Sequence, residues 1–269
     1  KLIVSDYDDT LANEHSLISE SSKTAIEKYI SMGGIFTIAT GRALQSIMPI
    51  AESIGISTYI ISFNGASVYD IKAKKEIINN SFDIDVSQKI AKRLIDDGFL
   101  VQIYFDRTVM TNKRTEKTKY YETLSGYDVV ECDEDLYDYM VKNKIIAYKV
   151  LAFVKDDTAL EEVERYKKIF GDVAQVSCSK SNLIEFVSLE AGKGEMCLKL
   201  ADLLGIDKSE VMTFGDGLND LSLISLAGFG VAMGNAFKQT QQAAKYVTDT
   251  NINDGVRKAI EKFVFNDKE

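Results

Sequence analysis

Short apolar runs that stop at polar or glycine-containing turns recur towards both ends of the chain: Leu2 to Ser5, Ile35 to Ala39, Tyr59 to Phe63, Val211 to Phe214, Gly230 to Met233 and Tyr246 to Thr248. Runs of this length without polar alternation suit strands buried on both faces. Helical patterns lie between the early ones. Ala25, Ile26, Tyr29 and Ile30 follow an expected cap at Ser21 or Ser22, and Leu44 to Ile54 follow Gly41 and Arg42. Alternation of strand and helix implies a parallel sheet with right-handed crossovers, so the expected fold is α/β with a doubly wound parallel sheet. At 269 residues the chain has room for one large domain or two moderate ones, either with a real core.

The middle of the chain has a different texture. Helical patterns at Val86 to Asp97 and Thr158 to Phe170 alternate with longer strand-like stretches at Phe99 to Phe105, Ile145 to Val154, Val173 to Cys178 and Leu183 to Val187. The expected organisation is a core from residues 1–81 and 188–269, with an α+β domain inserted over 82–187.

Charge and inventory exclude several function classes. With 32 basic against 41 acidic residues, no surface of dominant positive sign is expected for nucleic acid or anionic lipid. No apolar run approaches the ~20 residues that span a bilayer, and no leader pattern precedes the first strand, so no membrane role is expected. Cys132, Cys178 and Cys197 are an odd set without metal or redox spacing, read as free thiols in a reducing, cytoplasmic setting. His15 is the only histidine, which removes imidazole triads and histidine-rich zinc sites.

Asp6, Asp8 and Asp9 directly follow the first apolar run, at the carboxyl end of a buried strand, where open α/β sheets place ligands. Three carboxylates there repel one another unless a cation holds them, and hard oxygen ligands suit Mg2+. Turn and cap duty would explain one or two of them. An EF-hand loop does not fit, since its glycine and final glutamate would fall on Leu11 and Leu17. A second cluster, Gly215-Asp216-Gly217-Leu218-Asn219-Asp220, also ends an apolar run, so Asp216 and Asp220 are candidates to join Asp6 around one ion. Thr40-Gly41-Arg42 offers a hydroxyl and backbone N–H groups at a strand end, and Lys193 offers a compact charge from a glycine-flanked turn.

Taken in order, Asp6-Tyr7-Asp8-Asp9-Thr10-Leu11, Thr40-Gly41-Arg42, Lys193 and Gly215-Asp216-Gly217-Leu218-Asn219-Asp220 resemble the four signatures of the haloacid dehalogenase-like hydrolase superfamily. Asn64-Gly65-Ala66, Lys193-Gly194 and Asn253-Asp254-Gly255-Val256 are similar to its Cof-type branch, whose mobile cap corresponds to the insert. Asp9 stands where that branch usually has glycine, a difference that bears on local loop shape.

The resemblance implies a phosphatase acting on small phosphorylated metabolites. Asp6 would be the nucleophile and a Mg2+ ligand; Asp8 would be the general acid and then base, its backbone carbonyl also a metal ligand. Thr40 and Lys193 would hold phosphoryl oxygens and Asp216 the metal, with Asn219 and Asp220 around metal and phosphate, directly or from behind. Gly41, Arg42 and Asn64 are further substrate-side candidates, and Arg42 has the alternative of pairing with an acidic neighbour. Tyr104, Tyr120, Tyr121 and Asn182 are candidates within the insert. Rival readings are a phospho-accepting receiver domain, disfavoured because Phe63-Asn64 occupies the receiver's acceptor position; a phosphomutase on the same core; and a non-catalytic phosphometabolite binder.

Overall fold

A computed structural model describes residues 1–265; residues 266–269, the end of the second expected core segment, lie outside the described residues. The chain opens with β1 (Leu2–Ser5), α1 (Glu20–Ser31), β2 (Ile35–Ala39), α2 (Leu44–Ser53), β3 (Tyr59–Ser62), β4 (Ser67–Asp70) and β5 (Lys75–Asn79). There follow α3 (Ile84–Asp96), β6 (Leu100–Phe105), β7 (Thr108–Thr111), α4 (Glu116–Ser125), β8 (Val129–Glu131), α5 (Leu136–Lys142), β9 (Lys149–Phe153), α6 (Ala159–Phe170), β10 (Ala174–Lys180) and β11 (Leu183–Ser188). The last stretch holds α7 (Lys193–Leu203), β12 (Val211–Gly215), α8 (Leu221–Leu226), β13 (Phe229–Ala232), α9 (Lys238–Ala243), β14 (Tyr246–Val247) and α10 (Gly255–Ile260).

Two sheets result. The first has the order β14-β13-β12-β1-β2-β3-β4-β5, parallel from β14 through β3 and closed at one edge by an antiparallel hairpin. Its centre is β1, with Leu2 opposite both Val211 and Ile35. Apolar side chains leave β1 on both faces. Ile3 packs with Phe36, Ile38, Phe214 and, from α1, Ile26. Leu2 and Val4 pack with Ile61 and, from α7, Met196, Cys197 and Leu200. Each such Leu or Ile contributes about 1.5–3 kcal/mol on burial, which is why a strand of four apolar-rich residues suffices at the centre. The parallel strands all end at one edge of this sheet, where the acidic clusters lie.

The second sheet, β10-β11-β9-β6-β7-β8, draws all its strands from between Leu100 and Ser188 and is antiparallel apart from the β7–β8 pair. Helices α3 and α6 cover it through Ile90, Leu94, Val163 and Tyr166.

Some local expectations are corrected. The cap of α1 is Ser19, whose side chain accepts from the Ser22 N–H at 3.1 Å, rather than Ser21 or Ser22. The β4–β5 hairpin, β7, β8, α4 and α5 carry no strong pattern: Lys75 and Glu76 face solvent on an edge strand, and α4 presents Lys, Glu and Thr on most of its surface.

Candidate active site

The site is built on chain segments leaving β1, β2, β3 and β12. Asp6 is tied to the sheet by its N–H, which donates to the Phe214 carbonyl at 2.9 Å. The turn after it passes through Asp9 at φ 56°, ψ 8°. That left-handed conformation explains why glycine is usual there in the Cof-type branch, and aspartate is among the few other residues that adopt it readily.

Lys193 is the first residue of α7 rather than part of a turn, and its side chain is fully buried. Its Nζ donates to Asp6 Oδ1 and to Asp220 Oδ1, both at 2.6 Å. Close backbone approach makes this insertion achievable. A Cβ on Gly65, itself at φ +93°, would stand 2.4 Å from the Gly192 carbonyl oxygen. Burial alone would pull the Lys193 ammonium down, but Asp220 and Asp6 outweigh it and its pKa is raised.

One ligand atom from each of Asp6, Asp216 and Asp220 lies within 4.8 Å of the others. Burial, then Asp220, push the Asp6 carboxyl well above the usual carboxylate range despite Lys193; burial, then Asp220 and Asp6, do the same to Asp216. Asp216 Oδ1 accepts from the Thr10 hydroxyl at 2.8 Å. Both oxygens of Asp220 are committed, one to Lys193 and the other to the N–H groups of Asp216 and Gly217 at 3.0 and 2.9 Å. Buried oxygen donors whose mutual repulsion exceeds the single cation among them fit Mg2+. Asp6 and Asp216 each keep a carboxylate oxygen without a protein partner among the described residues, whereas Asp220 is built to hold Lys193 and the loop.

Asp8 is bound in bidentate fashion by Arg42, Nε to Oδ2 at 2.8 Å and Nη2 to Oδ1 at 2.6 Å, and the guanidinium lies 4.7 Å above the Tyr7 ring. Arg42 therefore does pair with an acidic neighbour. Thr40 is buried at the end of β2, and its Oγ1 accepts from the Arg42 N–H at 3.1 Å. The Asn64 amide donates to Glu185 at 2.7 Å and its oxygen accepts from Asn219 Nδ2 at 3.0 Å.

A cavity joins these residues to the second sheet. Asp6, Asp8, Gly41, Arg42, Asp216 and Asn219 line one side, and Tyr121, Ser179, Lys180, Leu183 and Glu185 the other. Of the four candidates read within the insert, only Tyr121 lines it. Tyr104 is buried, Tyr120 is exposed, and Asn182 donates to Asp156. Sequence reasoning missed Thr10, Lys149, Lys180 and Glu185. The available signal was a single charge inside an apolar strand, Lys149 beginning Lys-Val-Leu-Ala-Phe and Glu185 within Leu-Ile-Glu-Phe-Val. The three cysteines are free and buried. Among the described residues no helix is long and apolar enough to cross a membrane.

Comparison with known proteins agrees with this architecture. The family model described as haloacid dehalogenase-like hydrolase matches residues 3–260. The chain is 29% identical to the Bacillus subtilis "5-amino-6-(5-phospho-D-ribitylamino)uracil phosphatase YcsE", over 98% of this chain and 96% of that protein. It is also 29% identical to the phosphatase YwpJ of the same organism, over 95% and 97%. A haloacid dehalogenase-like hydrolase from Bacteroides thetaiotaomicron superposes with a TM-score of 0.81 at 29% identity, covering 97% of this chain and 98% of that one. The family match runs from β1 to α10, and the chain belongs to the haloacid dehalogenase-like hydrolases, in their Cof-type branch.

Proposed function

We propose that this phosphatase hydrolyses small phosphomonoesters, such as sugar phosphates or phosphorylated cofactors, through a phospho-aspartyl intermediate on Asp6, with Mg2+ as cofactor. The observation that carries the reading is the buried cluster of Asp6, Asp216 and Asp220 around Lys193 at the carboxyl ends of β1 and β12. Residues 1–81 and 188–269 act as the catalytic unit and 82–187 as its cap.

Asp6 is fixed at its backbone by β12 and at Oδ1 by Lys193, which aims the carboxylate at one position. The bond from an Asp6 oxygen to phosphorus forms as the ester P–O bond breaks, and Asp8, released as the neutral acid from its bidentate pair with Arg42, gives its proton to the departing oxygen. Asp8 then takes a proton from water, which attacks the aspartyl-phosphate and frees inorganic phosphate. Lys193 and the Thr40 hydroxyl hold the phosphoryl oxygens. Asp6 and Asp216 would hold Mg2+, with the Asp8 carbonyl; when bound, the ion offsets the negative charge of nucleophile and phosphoryl group. The cap closes the cavity against water. The Bacillus subtilis relative is by its name a phosphatase of a ribitylaminouracil phosphate, a phosphomonoester on a polyol chain, which suits the same class of small metabolite. Buried free thiols suit the cytoplasm.

Phosphate release from a panel of sugar phosphates, nucleotides and phosphorylated cofactors, with and without Mg2+, tests the reading beside Asp6→Asn. Metal-dependent release that falls by on the order of a thousandfold or more in the variant is expected. Release that persists in Asp6→Asn would rule the mechanism out.

A further inference from the structure

The second sheet buries a charged pair against the catalytic loops. Lys149 on β9 and Glu185 on β11 are 1% and 2% exposed and lie 3.1 Å apart. Neither charge is consumed by the pair alone. Lys149 Nζ also donates to the Gly41 carbonyl at 2.7 Å, and the second oxygen of Glu185 accepts from Asn64 Nδ2 at 2.7 Å. From Asn64 the chain of contacts runs on to Asn219 at 3.0 Å, in the loop that carries Asp216 and Asp220.

The contact at Gly41 has a defined mechanical effect. The Gly41 carbonyl and the Arg42 N–H belong to one planar peptide unit, so orienting one orients the other. Lys149 holds the carbonyl end, and the Arg42 N–H at the other end donates to Thr40 Oγ1 at 3.1 Å. With one lone pair of that oxygen taken by the peptide N–H, the hydroxyl of Thr40 is fixed in place and keeps its own hydrogen for another acceptor. The Glu185 branch works through the neighbouring loop at Asn64, whose N–H donates to the Thr40 carbonyl at 2.9 Å, and that loop is strained: Phe63, Asn64 and Gly65 are consecutive residues at φ 51°, 55° and 93°. Strain of this kind persists only where surrounding contacts over-determine it.

Burying an ion pair costs desolvation that two apolar side chains of similar volume would avoid, so adhesion between the sheets does not require it. We propose that Lys149 and Glu185 are positioning residues for phosphoryl transfer, which from the second sheet set the Thr40 hydroxyl and the Asn64–Asn219 pair in working geometry. The proposal rests on the phosphatase reading above. It makes turnover depend on the docking of the second sheet even though neither residue needs to touch the phosphoryl group.

The test compares Lys149→Met, Glu185→Gln and the double variant Lys149→Met/Glu185→Met with the parent, using p-nitrophenyl phosphate and Mg2+. Thermal unfolding is read beside kcat and KM. Each single variant should lose about tenfold to a hundredfold in kcat, the size expected when reacting groups are misplaced. The double variant, which leaves no unpaired buried charge, should melt closer to the parent than either single variant yet keep the loss in kcat, even if Lys149→Met alone fails to fold. A double variant whose kcat returns to the parent value would make the pair purely structural and overturn the proposal. So would single variants that fold and turn over normally. Full activity in Asp6→Asn would instead remove the phosphatase mechanism beneath it, so the two failures are distinguishable.

Discussion

Replacing Lys193 by Met removes the one buried cation from a cluster of three buried carboxylates while keeping an unbranched apolar stem one atom shorter. Like charges at 4.8 Å, the upper limit of separation in this cluster, repel by about 3.5 kcal/mol at an effective dielectric of 20, and Lys193 sits 2.6 Å from two of the three groups. Stripping one partner from a buried ion pair typically costs about 3–5 kcal/mol. For a chain of this size each kcal/mol moves the melting temperature by about 2–4 °C, so metal-free Lys193→Met should melt roughly 10 °C below the parent. The assay is differential scanning calorimetry at pH 8, where protonation of the carboxylates gives least relief, with and without Mg2+. The ion should raise the variant's Tm by more than the parent's, because it supplies positive charge that the variant has lost; a ligand at a hundred times its Kd contributes about 2.7 kcal/mol even without that advantage. Metal-free parent and variant melting within 2 °C of one another would refute the reasoning, since the three carboxylates would then not be mutually repelling in the folded state.

Gly194→Ala separates helix propensity from packing. In the first turn of α7, propensity alone favours alanine by up to about 1 kcal/mol, yet the new Cβ would stand 2.2 Å from the Ser222 carbonyl carbon. Overpacking at backbone costs about 1–3 kcal/mol, so a lower Tm is expected, and a higher one would show that α7 and α8 can separate freely. The thiols give a pH prediction. Burial pushes Cys178 up to about 11 and Cys197 up to about 12, so at pH 8 the reactive thiolate is on the order of a thousandth or less of each. Iodoacetamide should leave both unmodified in folded protein at pH 8, modify them readily in denaturant, and act faster as pH rises; rapid labelling at pH 8 without unfolding would contradict the buried placement.

What was readable in the chain follows from how locally each feature is determined. The strands β1 and β12 declare themselves because both faces are buried, leaving uninterrupted apolar runs, and the acids after them stand out because nothing local needs several carboxylates there. The β4–β5 hairpin left no such mark, since an edge strand keeps one face wet and carries Lys75 and Glu76. Lys193 was identifiable as a residue but not as an environment. Its glycine neighbours read as a turn, whereas the second of them, Gly194, lets α7 press against the backbone of Ser222. Thr10 and Asp216 are 206 positions apart, and no periodicity can pair them.

Asp9 shows how the two levels meet. As a sequence feature it is only an acid where the Cof-type branch usually has glycine. In the fold its left-handed backbone accounts for the glycine preference, and its carboxylate reaches Lys180 on β10 at 3.4 Å, a half-exposed pair worth at most about 1 kcal/mol. A non-glycine residue in that conformation costs a comparable amount, so the exchange is close to neutral in stability. What it changes is the mouth of the cavity, where a contact from the turn after β1 now touches the second sheet.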